Sequence, residues 1–191
     1  MAREPYGTRN LILAWFVANF LGVSAVGVLS LISFLTSIRG KYVSSLIIGF
    51  PIGLAQWMAL RRFAPISAIW AITISAGLFI GIDSQILGMW GFLGDETILG
   101  LTAGVATFAF LVGLAQWFLL RVRFTRSLVW PLSSAVGLGL GIGLALIFNL
   151  MNLGLVPIIL VTLVYTSVTG LAISWMYVEG KRGEGNLVDA T

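Results

Sequence analysis

An all-α polytopic membrane protein, with six transmembrane helices arranged as three parallel hairpin repeats, is the fold this sequence predicts. Three observations lead there: the composition, the uncharged intervals, and a motif, GLAQW, that stands at both 53–57 and 113–117. Of 191 residues, 59% are hydrophobic and 9% charged, and the mean hydropathy is +1.03. A soluble domain carries roughly a quarter charged residues. The solvent for such a chain is lipid.

The uncharged intervals are 10–38, 42–60, 63–82, 97–120 and 127–178, and a helix needs about 20 apolar residues to cross the hydrocarbon core. The first, behind Arg3 and Arg9, has the outline of a signal peptide but is longer than the roughly 7–15 residues of an h-region, so it is expected as helix 1. The next three supply helices 2, 3 and 4. The last is long enough for two, and the polar break FNLMNLG at 148–154 suits a short turn between helices 5 and 6. Closed barrels need short alternating strands, which these continuous runs are not. Residues 1–178 thus read as one membrane domain with hairpins at about 10–62, 63–122 and 123–178. The polar tail 179–191, EGKRGEGNLVDAT, is expected to be disordered.

Cation placement gives the orientation. With the N-terminus in the cytoplasm, nine cations, Arg3, Arg9, Arg61, Arg62, Arg121, Arg123, Arg126, Lys181 and Arg182, fall inside and only Arg39 and Lys41 outside. The positive-inside rule selects this topology, with both termini cytoplasmic. The net charge of +4 then reflects topology and anionic headgroups, and no nucleic-acid partner is expected.

Aligning 53–82 with 113–142 without a gap matches 13 of 30 positions, among them Arg61/Arg121, Trp70/Trp130, Gly77/Gly137 and Gly81/Gly141. That is the pattern of internal duplication. A fainter third copy reads GLAISW at 170–175, and Trp15 precedes Gly22 by the same seven residues that separate Trp70 from Gly77. Parallel hairpins of this kind are related by an axis along the membrane normal, which suggests a pseudo-threefold bundle. An open stack of hairpins is the alternative.

Trp57 and Trp117 precede Arg61 and Arg121 by four residues, about 6 Å of helix. Trp15, Trp70, Trp130 and Trp175 fall near the same boundary, so six of seven tryptophans are expected as one inner aromatic belt. Gln56 and Gln116 lie at that level. Two readings stay open for them: hydrogen-bonded glue between helices, or the polar mouth of a central passage with Ile173 or Ser174 as a broken third member. Small residues at four-residue spacing, Ser45, Gly49 and Gly53 for example, suit close helix packing. Pro51, inside helix 2, predicts a kink. The outer connection carries Asp83, Trp90, Phe92, Asp95 and Glu96. It reads as a segment lying in the interface, as a docking surface for another subunit, or as an attractor of cations.

The paired GLAQW hairpins, each followed by Leu-Arg and then a tryptophan-glycine helix, resemble a loosely defined group of uncharacterised multi-span bacterial membrane proteins associated with phototrophic lineages. The resemblance covers helices 2–5 well and helices 1 and 6 poorly. It implies a bacterial inner membrane and brings no activity with it.

The sequence has no histidine and no cysteine, so metal chemistry lacks its usual ligands and a serine nucleophile lacks a base within the bilayer. No cofactor is indicated, and a non-enzymatic protein is expected. An accessory or scaffolding subunit of a larger membrane complex is favoured, with the bilayer and other membrane subunits as partners. A small-solute facilitator with an uncharged path is the alternative, and a pigment- or lipid-binding protein is the third option.

Overall fold

The computed structural model describes residues 7–35, 41–83, 98–122, 124, 126–148 and 150–188. Among these the regular structure is all helical, without a strand: α1 Thr8–Leu35, α2 Lys41–Leu60, α3 Trp70–Asp83, α4 Ile98–Leu120, α5 Val129–Ile147 and α6 Val156–Val188. Four segments, Thr8–Leu29, Ile98–Leu120, Val129–Ile147 and Val156–Glu179, are long and apolar enough to cross a membrane. This is a helical membrane protein.

Two boundaries differ from the sequence expectation, the start of α3 and the end of α6, while the break between α5 and α6 falls in the expected turn. Helix α3 starts at Trp70 rather than near 63, because Pro65 disfavours helical geometry at Ala64. Ser67 then starts the new helix, its carbonyl accepting from Trp70 N–H at 3.1 Å and its hydroxyl from Ile69 N–H at 3.3 Å. The break between α5 and α6 is a 3-10 turn, Leu150–Asn152, followed by Gly154 at φ +57°, a conformation that costs glycine nothing. The polar tail is not disordered at its start. Helix α6 continues to Val188, since a formed helix extends at the cost of one residue per hydrogen bond gained. Helix α2 runs unbroken through Pro51. The outer connection with Trp90, Phe92, Asp95 and Glu96 lies outside the described residues, as does the side chain of Asp83.

Each helix packs on the next in sequence, and α1 packs on α6, so the six close into a ring. Neighbours run antiparallel. Gly49 faces Ser75 while Gly53 faces Ala71, and Gly137 faces Tyr165 while Gly141 faces Val161. The glycine of each GLAQW copy meets the backbone of the following helix. A methyl group on Gly113 would sit 2.8 Å from Pro131 Cα, and one on Gly53 would overlap the Ala71 carbonyl. Only a residue without a side chain allows that approach.

The ring has its polarity inverted relative to a soluble bundle. Leu13, Leu21, Leu99, Leu132 and Leu171 are exposed on the outside. Asn19, Gln56, Thr73, Gln116, Ser134 and Thr169 are buried within. Lipid accepts the first set, and the second is withdrawn from it.

Candidate functional site

Three tryptophans meet on the axis of the ring. Trp15, Trp70 and Trp130 are fully buried. The rings of Trp15 and Trp130 pack edge to face at 5.4 Å, and those of Trp70 and Trp130 are tilted at 5.5 Å. Both spacings are favourable aromatic geometries. Leu11, Leu60, Leu120, Ile173 and Met176 complete the packed layer around them.

An indole buried this deeply must place its N–H, and the two glutamines receive two of the three. Trp70 Nε1 donates to Gln56 Oε1 at 3.3 Å and Trp130 Nε1 to Gln116 Oε1 at 2.9 Å. Because an indole only donates, each carboxamide must turn its oxygen to the tryptophan and its NH₂ to the other neighbouring helix. Gln56 accordingly donates to Asn19 Oδ1 on α1 at 2.9 Å, and Gln116 to Thr73 Oγ1 on α3 at 3.0 Å. The outer member of each pair bonds back to a tryptophan carbonyl: Asn19 to Trp15 O, Thr73 to Trp70 O and, on α5, Ser133 to Trp130 O. Each glutamine thus ties three helices together.

The third position departs from this pattern. Ile173 occupies the glutamine's place in GLAISW, buried at 2% exposure, and it has no oxygen to offer. Trp15 Nε1 donates one turn earlier instead, to Thr169 Oγ1 at 3.0 Å, and Thr169 donates on to Tyr165 O. Ser174 does not join the glutamines. Its hydroxyl bonds back to Leu171 O within its own helix.

The six tryptophans expected as one belt therefore divide into two sets. Trp57, Trp117 and Trp175 keep a boundary position, partly exposed or exposed, each beneath an arginine: Arg61 lies 4.6 Å from the Trp57 ring centre, Arg121 5.6 Å from Trp117 and Arg126 5.3 Å from Trp175. These are cation–π distances. Trp57 Nε1 also donates to Ile66 O at 3.0 Å, fastening the α2–α3 turn. Trp15, Trp70 and Trp130 point inward. The difference is azimuth rather than depth: one residue along a helix is a turn of about 100°, so the tryptophan beside an inward glutamine faces away.

Beyond the tryptophan layer lies a cavity of about 410 Å³ to which all six helices contribute. Its walls are Val23, Val26, Ile52, Ile74, Phe108, Val112, Leu138, Ile142 and Val161, among others. Its floor is polar. Asn19, Gln56 and Gln116 reach it from the hydrogen-bonded layer, joined by Ser134 and Tyr165. The Tyr165 hydroxyl lies beside Gln56 and Ser134, while Ser134 Oγ, on a residue only 3% exposed, has no hydrogen-bond partner. Of the floor residues it is Tyr165 that sequence reasoning missed, because a tyrosine inside an apolar helix announces no direction.

Among the described residues no group of carboxylates is placed to hold a metal ion. Comparison with family models, with curated proteins and with solved structures finds no match.

Proposed function

We propose that this protein binds a neutral, largely apolar molecule from the bilayer inside its helical ring, without catalysing its conversion. One observation carries the reading: the cavity is apolar along its walls, and its few polar lining groups include the glutamines bonded to a fully packed tryptophan layer. Ligand pockets combine apolar walls with a few placed polar groups, and a closed floor suits retention better than conduction. The scaffolding expectation rested on glycine stripes, aromatic belts and the outer connection, and the facilitator on an uncharged polar path through the bilayer. The packed layer speaks against the second.

In this reading α2 and α3 cross the bilayer with the other four helices, and three related hairpins form the ring. The equivalent bonds of Gln56 and Gln116 support that kinship. The arginine-capped end faces the cytoplasm of a bacterial cell, as the positive-inside rule favours. Cysteines placed at Gly7 and Asn186 are then shielded from an impermeant thiol reagent in intact cells, while one at Glu96 labels. Labelling of either terminus from outside contradicts the arrangement.

Filling the cavity tests the binding. Ala109, buried and part of the lining, replaced by Trp should remove at least nine-tenths of any apolar molecule that co-purifies in stoichiometric amount, an order-of-magnitude loss expected from occupying the site. Near-ultraviolet circular dichroism from the Trp15/Trp70/Trp130 cluster reports whether the fold survives. A folded variant that retains its full load would end the proposal, and so would wild-type protein that carries none.

A further inference from the structure

The floor of the cavity has a chemical preference that its walls do not. The carboxamides of Asn19, Gln56 and Gln116 each spend one N–H on a protein acceptor, which leaves each with a second. The oxygens of both glutamines each accept from an indole and that of Asn19 from Gln56, which leaves one lone pair on each. Ser134 adds a hydroxyl without a partner, and Tyr165 adds another beside it. Both hydroxyls can donate as well as accept, and no charged side chain is among the lining residues.

Taking the cavity as a binding site, we propose that its floor holds the carbonyl head of a neutral apolar molecule, a ketone, ester or quinone-type oxygen, with Ser134 as the donor dedicated to it. A carbonyl oxygen accepts two hydrogen bonds and donates none, which is the complement of what Ser134 and the spare carboxamide N–H groups present. An anion would enter without a cation to meet it, at a high desolvation cost. A hydrocarbon would leave every one of these donors unpaired. The body of the ligand then lies along Val23, Ile52, Val112, Leu138 and Val161.

Ser134 makes this testable, because its hydroxyl completes no hydrogen bond of good geometry and stands outside the bonded tryptophan layer, with the Tyr165 hydroxyl beside it. Ser134→Ala leaves every hydrogen bond of the tryptophan layer in place and touches only the contact with the Tyr165 hydroxyl, so unfolding should be little changed while binding moves. The probes are a radiolabelled long-chain methyl ketone and the n-alkane of equal length, each equilibrated with the full-length protein in nanodiscs. The ketone should bind about tenfold more tightly than the alkane, and Ser134→Ala should weaken the ketone by about fivefold while leaving the alkane alone, ratios set by hydrogen bonds of ordinary net strength. Nanodiscs of ether lipid, which lack ester carbonyls, separate two sources of the head group. Weaker ketone binding in ester-lipid discs than in ether-lipid discs identifies the membrane lipid's own ester as a competing occupant, and equal binding identifies a free carbonyl compound. Equal affinity for ketone and alkane overturns the carbonyl head while leaving the cavity reading intact. A ketone preference that survives Ser134→Ala overturns the assignment of Ser134. Failure of both probes to bind removes the cavity reading itself.

Discussion

Gly53→Ala is expected to destabilise the protein by about 2–3 kcal/mol, although it adds one methyl group and favours the helix. The new Cβ would fall on the carbonyl of Ala71, and a backbone atom of a packed helix moves only if the helix moves. Separation of α2 from α3 would then lengthen the Trp70–Gln56 bond, which at 3.3 Å has little reach to spare. The same substitution at Gly27, where nothing lies within 4 Å, should be neutral or stabilising by up to about 1 kcal/mol. Reversible unfolding in detergent mixtures, followed by tryptophan emission, compares the two. Equal behaviour at both positions would show that close approach is not what Gly53 provides.

Gln116→Leu should cost about 1–3 kcal/mol, the penalty for leaving the buried Trp130 N–H without an acceptor and Thr73 without its donor. Gln56→Leu should cost a similar amount, by stranding Trp70 and Asn19. The double variant should cost less than the sum. Trp70 stands between the two amides, donating to Gln56 through its indole and accepting from Thr73 through its carbonyl, so the first substitution already loosens what the second would break. Strict additivity in a double-mutant cycle would mean that the bonds act as separate pairs, and wild-type stability in either single variant would remove their structural role.

The helices were legible in the sequence because the bilayer imposes a length and forbids charge, and five uncharged intervals left little choice. The interhelical use of Gln56 and Gln116 was also within reach, as an amide inside an apolar helix needs a partner. The destination of the tryptophans was less so. Hydropathy and distance from an arginine give depth along a helix, whereas burial depends on the direction a side chain takes around it. A signal did exist: Trp57 and Trp117 are followed four residues later by Arg61 and Arg121, while Trp15 is followed at that spacing by Asn19, a residue with no use at a lipid boundary. The cavity was not legible, since its walls are the same valines, leucines and isoleucines that face lipid elsewhere. The continuation of α6 beyond Glu179 was hidden by a composition rich in glycine and charge.

The bonds that join the tryptophan layer also have a sense of circulation. Traced from donor to acceptor, they pass from Ser133 to Trp130, Gln116, Thr73, Trp70, Gln56, Asn19, Trp15 and Thr169, ending on the Tyr165 carbonyl. Every link points the same way around the ring. Indoles act as one-way valves in this traffic, because Nε1 gives a hydrogen and never takes one, so the carboxamides cannot reverse in concert. The loop has a single seam, between α5 and α6, where Ile173 replaces a carboxamide. A closed loop of three equal hairpins would offer a guest three interchangeable seats. The seam singles out one side of the interior, the side where Ser134 and Tyr165 stand, so its sides are not interchangeable.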